Sequence, residues 1–323
     1  MNTQLSLSIA LATYNGEYYI REQLDSIMRQ TRQPDELVIS DDASNDTTAE
    51  IIRDFSKTVP FSVRLDINQE RLGSTRNFEK AIRACNSDII FLCDQDDIWY
   101  PDKIERIEEC FMKNTEVGAV FTDADIVDQD LHTFGPQLWK KVRFNSRERA
   151  QVGSRDAFTV LLKHTVVTGA TMAFRSKYRD LVLPIPEKWV HDAWIALLVS
   201  AASYLIAIPT PMVAYRQHSS NQLGLPGGKN LRKSCATYHN PRISCYESAR
   251  TRILEFSDQI PDARHKICCL DDKLGFLRAR AGLPDSRWRR LPTALRELVT
   301  LRYNRYTKAG VGSFINDLLR GDK

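Results

Sequence analysis

Three carboxylates stand within four residues, at Asp94, Asp96 and Asp97, in the stretch IIFLCDQDDIWYPDK. Carboxylates that close repel one another, and a divalent cation is the usual relief. What precedes them tells where they sit. Ile89, Ile90, Phe91, Leu92 and Cys93 form an unbroken apolar run, the pattern of a strand buried on both faces. Acids at the end of such a strand lie at the carboxyl edge of an α/β sheet, where ligands bind. Ile98, Trp99 and Tyr100 follow where a solvated loop would carry polar residues, and Pro101 marks the start of a helix. An EF-hand is excluded, because no glycine follows the third acid position and no glutamate closes the loop. The chemistry open to this cluster is to hold a metal ion against a phosphate-bearing ligand.

A second pair, Asp41 and Asp42, follows the apolar run Leu37 to Ile39 in the same way. An acid at that place in a mononucleotide-binding half accepts hydrogen bonds from a ribose or base; otherwise it caps a helix or sits in solvent. The elements that must position both acid groups alternate at short intervals. A strand over 5–13 leads to a helix over 18–30, whose Tyr19, Ile20, Leu24, Ile27 and Met28 recur at three and four. Strand 37–40, a helix from Thr47 with Asp46 as its cap, strand 63–67 and helix 75–85 follow. That alternation predicts a parallel, doubly wound sheet with right-handed crossovers. No GxGxxG follows the first strand and no GxxxxGK[ST] occurs, which argues against a dinucleotide-binding Rossmann enzyme and a P-loop nucleotide hydrolase.

Four segments in order, ALATYNG, VISDDASNDTT, NQERLGSTRNFEKAI and FLCDQDDIWYPDK, resemble glycosyltransferase family 2 over about residues 5–222. The strings DQDDIW and LGSTRNFEKAI are most similar to its rhamnosyltransferase-like branch. The resemblance implies an inverting enzyme of the GT-A fold, an α/β architecture with a mostly parallel central sheet flanked by helices. It implies that Thr13, Asn15, Asp41, Asp42, Gly73, Asn77, Asp94, Gln95 and Asp96 bind a nucleoside diphosphate sugar. Asp41 or Asp42 would hold the base and Asp94 the ribose, while Asp96, Asp97 and His218 would hold Mn2+ or Mg2+. In TGATMAF (168–174), Gly169 would lie beside the transferred sugar, and in YRQH (215–218), Arg216 would fold back on the diphosphate. In HDAW (191–194), Asp192 would be the catalytic base, with His191 and Trp194 toward sugar and acceptor. A carboxylate at a helix N-terminus between tryptophans stays ionised yet partly shielded.

Two other classes compete. A sugar-1-phosphate nucleotidyltransferase would carry a Gly-rich basic loop after the first strand, which TYNGEYY lacks. A non-catalytic sugar-nucleotide or glycan-binding protein would not need Asp192.

The remaining chain sets the context. Its 323 residues, 42% hydrophobic and 27% charged, fit a globular protein of two parts, 1–224 and 225–323, divided at the turn LPGGKNLRKS. Residues 1–223 carry 25 Lys/Arg against 31 Asp/Glu, whereas 224–323 carry 20 against 10. The second part reads as helices over 243–256, 265–281 and 291–306, with Arg287, Arg289 and Arg290 around Trp288. Such a tail suits a solvated helical face or contact with anionic lipid headgroups. No nucleic-acid module accompanies the charge, so no nucleic-acid partner is expected. Seven cysteines without a CxxC point to reduced thiols, not zinc. The N-terminus lacks the basic region of a signal peptide. Residues 193–215 are uncharged over 23 positions, but Pro209 and Pro211 favour a buried helix followed by a strand over a membrane span. Asp123, Asp125 and Asp128 are expected in a solvated loop after strand 117–122, and 131–153 as a flexible loop over the acceptor side. The expected setting is the cytoplasm or the inner face of the cell membrane, with a glycan or lipid-linked acceptor of a cell-surface polysaccharide, lipopolysaccharide or capsule.

Overall fold

The computed structural model describes residues 4–218 and 234–320. The chain divides into two compact units, one of Met1–Ala157 and Val166–Leu223, the other of Phe158–Thr165 and Gly224–Lys323. Residues 219–221 and 225–233, the last including most of the proposed boundary turn, lie outside the described residues.

The first unit is built on strands β1 (Leu7–Thr13), β2 (Glu36–Asp41), β3 (Ser62–Ile67), β4 (Ile89–Cys93), β5 (Ile98–Trp99), β6 (Val117–Val127), β7 (Met172–Arg175) and β8 (Tyr204–Arg216). Among the described residues they form one sheet in the order β3, β2, β1, β4, β7, β6, β8, β5. The half β3-β2-β1-β4 is parallel, and its crossovers are α1 (Ile20–Met28), α2 (Thr48–Ser56) and α3 (Ser74–Ala84). In α1 the residues Ile20, Leu24 and Ile27 are fully buried. Each such aliphatic side chain stabilises the fold by about 1.5–3 kcal/mol on burial. All five residues of β4 are buried, as a strand covered on both faces requires.

The other half departs from the doubly wound pattern. Strand β7 runs antiparallel to both β4 and β6, and β5 antiparallel to β8. An antiparallel neighbour begins at the edge where β4 ends, so the turn Gly169–Thr171 that leads into β7 reaches the same edge as Asp94. Ile98 and Trp99, too apolar for a solvated loop, form β5 because β8 offers them a partner at Val213 and Ala214. The register of β6 on β8 shifts beside Pro209 and Pro211, where the ladder lacks N–H donors.

Strand β6 continues to Val127, five residues past its expected end, and carries Asp123 and Asp125 with it. Asp123 is buried and accepts the backbone N–H groups of Ala124 (2.8 Å) and Trp139 (2.9 Å). Asp125 accepts Tyr100 Oη at 2.8 Å. Neither is a solvated loop acid; Asp128 does lie in the turn beyond. The flexible loop expected over 131–153 contains two helices after α4 (Lys103–Lys113), namely α5 (Leu138–Val142) and α6 (Ser146–Gly153). Trp139 anchors α5, buried against Phe121 and Phe144, and a reciprocal Asn145–Glu148 capping box starts α6.

Helix α7 (Ala157–Lys163) gives most of its length to the second unit. The first unit resumes with α8 (Arg179–Val182) and α9 (His191–Ala202), which is buried from Trp194 to Ala201. Among the described residues no helix is long and apolar enough to cross a membrane.

The second unit adds α10 (Cys235–Glu255), α11 (Ala263–Ala281), α12 (Arg287–Val299), α13 (Arg302–Tyr306) and α14 (Val311–Leu319). The helix expected over 291–306 breaks at Leu301, which adopts φ 59. Phe276, Tyr303 and Tyr306 form a buried cluster with Leu298 and Phe314 against it. Beside them lies Asp317, fully buried, which accepts Arg280 Nε (2.6 Å), Arg280 Nη2 (3.0 Å) and Tyr303 Oη (2.7 Å). Arg290, expected beside the exposed Trp288, is buried instead and donates to the carbonyls of Pro284, Asp285 and Asp317.

Candidate active site

The parallel register pairs Thr13 with Asp41 and Leu11 with Cys93, so the residues after β1, β2 and β4 emerge at one edge. They open on a cleft of about 360 Å³ in the first unit. Thr13, Asn15, Asp42, Asn77, Asp94, Gln95, Asp96, Gly169, His191, Asp192 and His218 line it. Asp41, Gly73, Asp97, Trp194 and Arg216 do not.

Several of the residues at the cleft also build it. Asn77 donates to Thr13 O (3.1 Å) and Ser40 O (2.8 Å) and accepts from Asn68, so one amide brackets β1, β2 and the chain after β3. Gln95 pairs with both backbone groups of Tyr14, at 2.8 and 3.0 Å. Asp42 accepts Asn68 Nδ2 (3.1 Å), Leu72 N (2.6 Å) and Gly73 N (2.8 Å), and thereby folds the 68–73 loop to the cleft. Gly73 holds φ 84 with ψ 157, a conformation reserved for glycine, as it hands the chain to α3. Asp41 turns inward to Thr13 and Ser44 hydroxyls, 2.7 Å each.

The acids behave differently. Burial, with the charges of Asp96 and Asp192 close by, pushes the Asp94 carboxyl up to about 8. Asp96 lies 2.9 Å from His218 Nε2, and His218 packs on Tyr19. Asp97 points away. One oxygen accepts Arg216 N at 2.9 Å and the other is buried without a partner, and burial with Asp96 and Asp94 nearby raises its pKa. Of the three residues expected to hold a metal, Asp96 and His218 stand side by side in the cleft and Asp97 does not line it. A carboxylate and an imidazole side by side would suit a manganese-like ion. Among the described residues, three potential ligand atoms within 4.8 Å of one another occur at Asp128, Asp130 and His132, on an exposed turn.

Asp192 is the second residue of α9, and its carboxylate accepts Gly169 N (2.9 Å) and Ala193 N (2.5 Å). A Cβ on Gly169 would lie 2.7 Å from His191 Nε2, so only glycine lets the backbone come this near. His191 stacks on Phe78 at 3.8 Å, is 5% exposed, and has no hydrogen-bond partner for either ring nitrogen. Burial lowers its pKa against the opposing pull of Asp192, so it is a neutral imidazole at the cleft wall. Trp194, expected toward the acceptor, is fully buried with its N–H on Val182 O, because α9 is apolar on every side. Arg216, expected on the diphosphate, is also buried. Its guanidinium binds Glu22 and the carbonyls of Asp96 and Gln129, which fixes the acid loop from behind.

Sequence reading missed several residues. Tyr14, Tyr18, Tyr19, Arg71, Ser74, Phe78, Thr168, Val190 and Tyr215 also line the cleft, with Arg71 over the Tyr14 ring at 4.0 Å. Lys103 was equally hidden. It is fully buried, its Nζ donates to Ala170 O at 2.6 Å over the Trp99 ring, and burial lowers its pKa to about 7. It holds the 169–171 turn on the side opposite Asp192.

Comparison with known proteins agrees with this geometry. Residues 8–181, more than half of the chain, match the family described as glycosyl transferase family 2. The dTDP-rhamnosyl transferase RfbG of Shigella flexneri is 29% identical over 227 residues, covering 66% of this chain and 73% of that one. Residues 1–349 of S. aureus TarS, solved with UDP-GlcNAc, align over 97% of this chain and 81% of that one at 16% identity and a TM-score of 0.56. The mannosyltransferase PcManGT of Pyrobaculum calidifontis, solved with GDP-Man and Mn2+, aligns over 97% and 80% at 19% identity and a TM-score of 0.53. These two share its GT-A fold. With three strand and helix ends delivering acids to one cleft and more than half its length matched, the chain belongs to glycosyltransferase family 2 and is a glycosyl-transferring enzyme.

Proposed function

We propose that this enzyme moves a sugar from a nucleoside diphosphate to an acceptor hydroxyl with inversion at the anomeric carbon, and that dTDP-rhamnose is its donor. One observation carries the reading: Asp42, Asp96 and Asp192, which leave three separate elements, open on a single cleft. Asp42, Asn15, Tyr14 and Arg71 bind the nucleoside end, and Asp94 its ribose. Asp192 accepts the proton of the acceptor hydroxyl as that oxygen attacks the anomeric carbon. The bond from that carbon to the diphosphate breaks, and its electron pair leaves with the diphosphate. Gly169 N–H and Ala193 N–H, both donating to the Asp192 carboxylate, hold it in place at the amino end of α9. His191, neutral and unpartnered, bonds a sugar hydroxyl. Mn2+ or Mg2+ held by Asp96 and His218 would offset charge on the departing diphosphate. The rhamnosyl donor is supported by the likeness to RfbG, and the metal by the Mn2+ in PcManGT. The acceptor is a hydroxyl of a growing cell-surface glycan or its lipid-linked precursor, met at the cytoplasmic face of the membrane.

Replacing Asp192 by Asn tests the assignment. Donor affinity in titration calorimetry should stay within about twofold, while kcat for transfer falls roughly 10²- to 10⁴-fold. Transfer at the wild-type rate would remove Asp192 from the chemistry.

A further inference from the structure

Helices α12 and α14 in the second unit are apolar on two sides. Their inner sides contribute Ala294, Leu298 and Phe314 to the packing around Phe276 and Tyr303. The outer side of α12 carries Trp288, Leu295 and Val299, spaced seven and four residues apart and so on one face. Trp288 is 82% exposed and Val299 79%. The outer side of α14 carries Val311, Ile315 and Leu319 at successive steps of four, all about half exposed, and Leu301 between the helices is 60% exposed.

The exposed charges along these stripes are mostly basic, with Asp285 an exposed acid just before α12. Between residues 287 and 320 the sequence has two acids, Glu297 and Asp317. Both are buried and paired, the first with Arg296 and Arg302, the second with Arg280. Arg287, Arg289, Arg296, Arg305 and Lys308 are exposed over the same span. An apolar stripe with a tryptophan near one end and mostly basic charge beside it matches a bilayer interface, where the indole sits at headgroup depth and arginines meet anionic phosphates. A second copy of the chain fits less well, because a self-complementary contact would set arginine against arginine.

We infer that the outer faces of α12 and α14 form a docking surface for an anionic lipid bilayer, with Trp288, Leu295 and Val299 entering the interface and Arg287 and Arg289 binding headgroups. The second unit alone carries this inference, so it stands or falls independently of the chemistry in the cleft.

The full-length protein should co-sediment with vesicles of 70% phosphatidylcholine and 30% phosphatidylglycerol, and at least about tenfold more weakly with pure phosphatidylcholine. The triple variant W288S/L295S/V299S and the double variant R287E/R289E should each lower binding to the anionic vesicles by about tenfold or more. These side chains are exposed, so circular dichroism and melting temperature should stay near wild type. Serine substitution on the polar outer residue Thr300 serves as the matched control and should leave binding unchanged. Undiminished binding by the folded triple variant, or equal binding to neutral vesicles, would overturn the inference. So would a wild-type dimer that ignores vesicles and is split by the same three substitutions, which would make the face a contact between copies.

Discussion

Asp94, half-buried in the first unit, and Asp317, fully buried in the second, are both carboxylates that their surroundings treat in opposite ways. Burial pushes both upward. At Asp317 the neighbouring His239 and the hydrogen bonds from Arg280 outweigh burial and hold the group well below the usual carboxylate range. Each oxygen there has a donor within 3.0 Å, from Arg280 or Tyr303. At Asp94 the nearest charges are more acids, Asp96 and Asp192, and the buried Lys103 nearby donates its hydrogen bond to a backbone carbonyl. A carboxylate that exists to hold a fold is surrounded by donors. One that exists to meet a charged ligand is left short of them, and the fold bears the cost until the ligand arrives.

Removing each acid should therefore act with opposite sign. The larger effect belongs to Asp317→Asn, which leaves Arg280 buried without its partner. We expect a loss of about 3–5 kcal/mol in the stability of the helical unit, read by urea unfolding. A loss under about 1 kcal/mol would mean that the network is ornamental. The smaller effect is a gain. With a folded pKa of about 8 against an ordinary carboxylate value near 4, Asp94 destabilises the metal-free protein increasingly as pH rises from about 4 to 8, and fully above 8. Asp94→Asn, melted in chelator, should raise Tm by about 2–4 °C at pH 9 and by progressively less toward pH 5. A fall in Tm at pH 9 would break the contrast.

How much of this was legible in the sequence depended on what set each side chain's direction. The run Ile89 to Cys93 could only be a buried strand, so the acids after it had to reach a sheet edge. The apolar stretch 193–215 resolved into α9 and β8 from its prolines, its serines and its change of pattern halfway. Asp97 misled because its direction is set by β5 pairing with β8, a contact between residues more than a hundred apart. Trp194 misled for a simpler reason: on a helix buried all round, a residue two steps from Asp192 turns into the core. Lys103 opens α4, where a lysine reads as solvent-facing, and nothing local betrays that Ala170 waits for it. Arg71 and Tyr14 sit in loops without periodicity, and their stacking follows only from the register of β1 beside the 68–73 loop. The second unit hid its logic likewise. Arg290 and Trp288 are two apart in a basic stretch, yet one closes the core and the other faces out.

The central claim is that the cleft acids are arranged to receive a diphosphate together with a divalent cation, with Asp96 as the carboxylate that joins them. Titration calorimetry of dTDP-rhamnose into wild type and Asp96→Asn, each with and without Mn2+, tests it most directly. Mn2+ should tighten donor binding to wild type by about tenfold or more, and that increment should vanish in Asp96→Asn. An Mn2+-dependent increment of the same size in both proteins would contradict the claim.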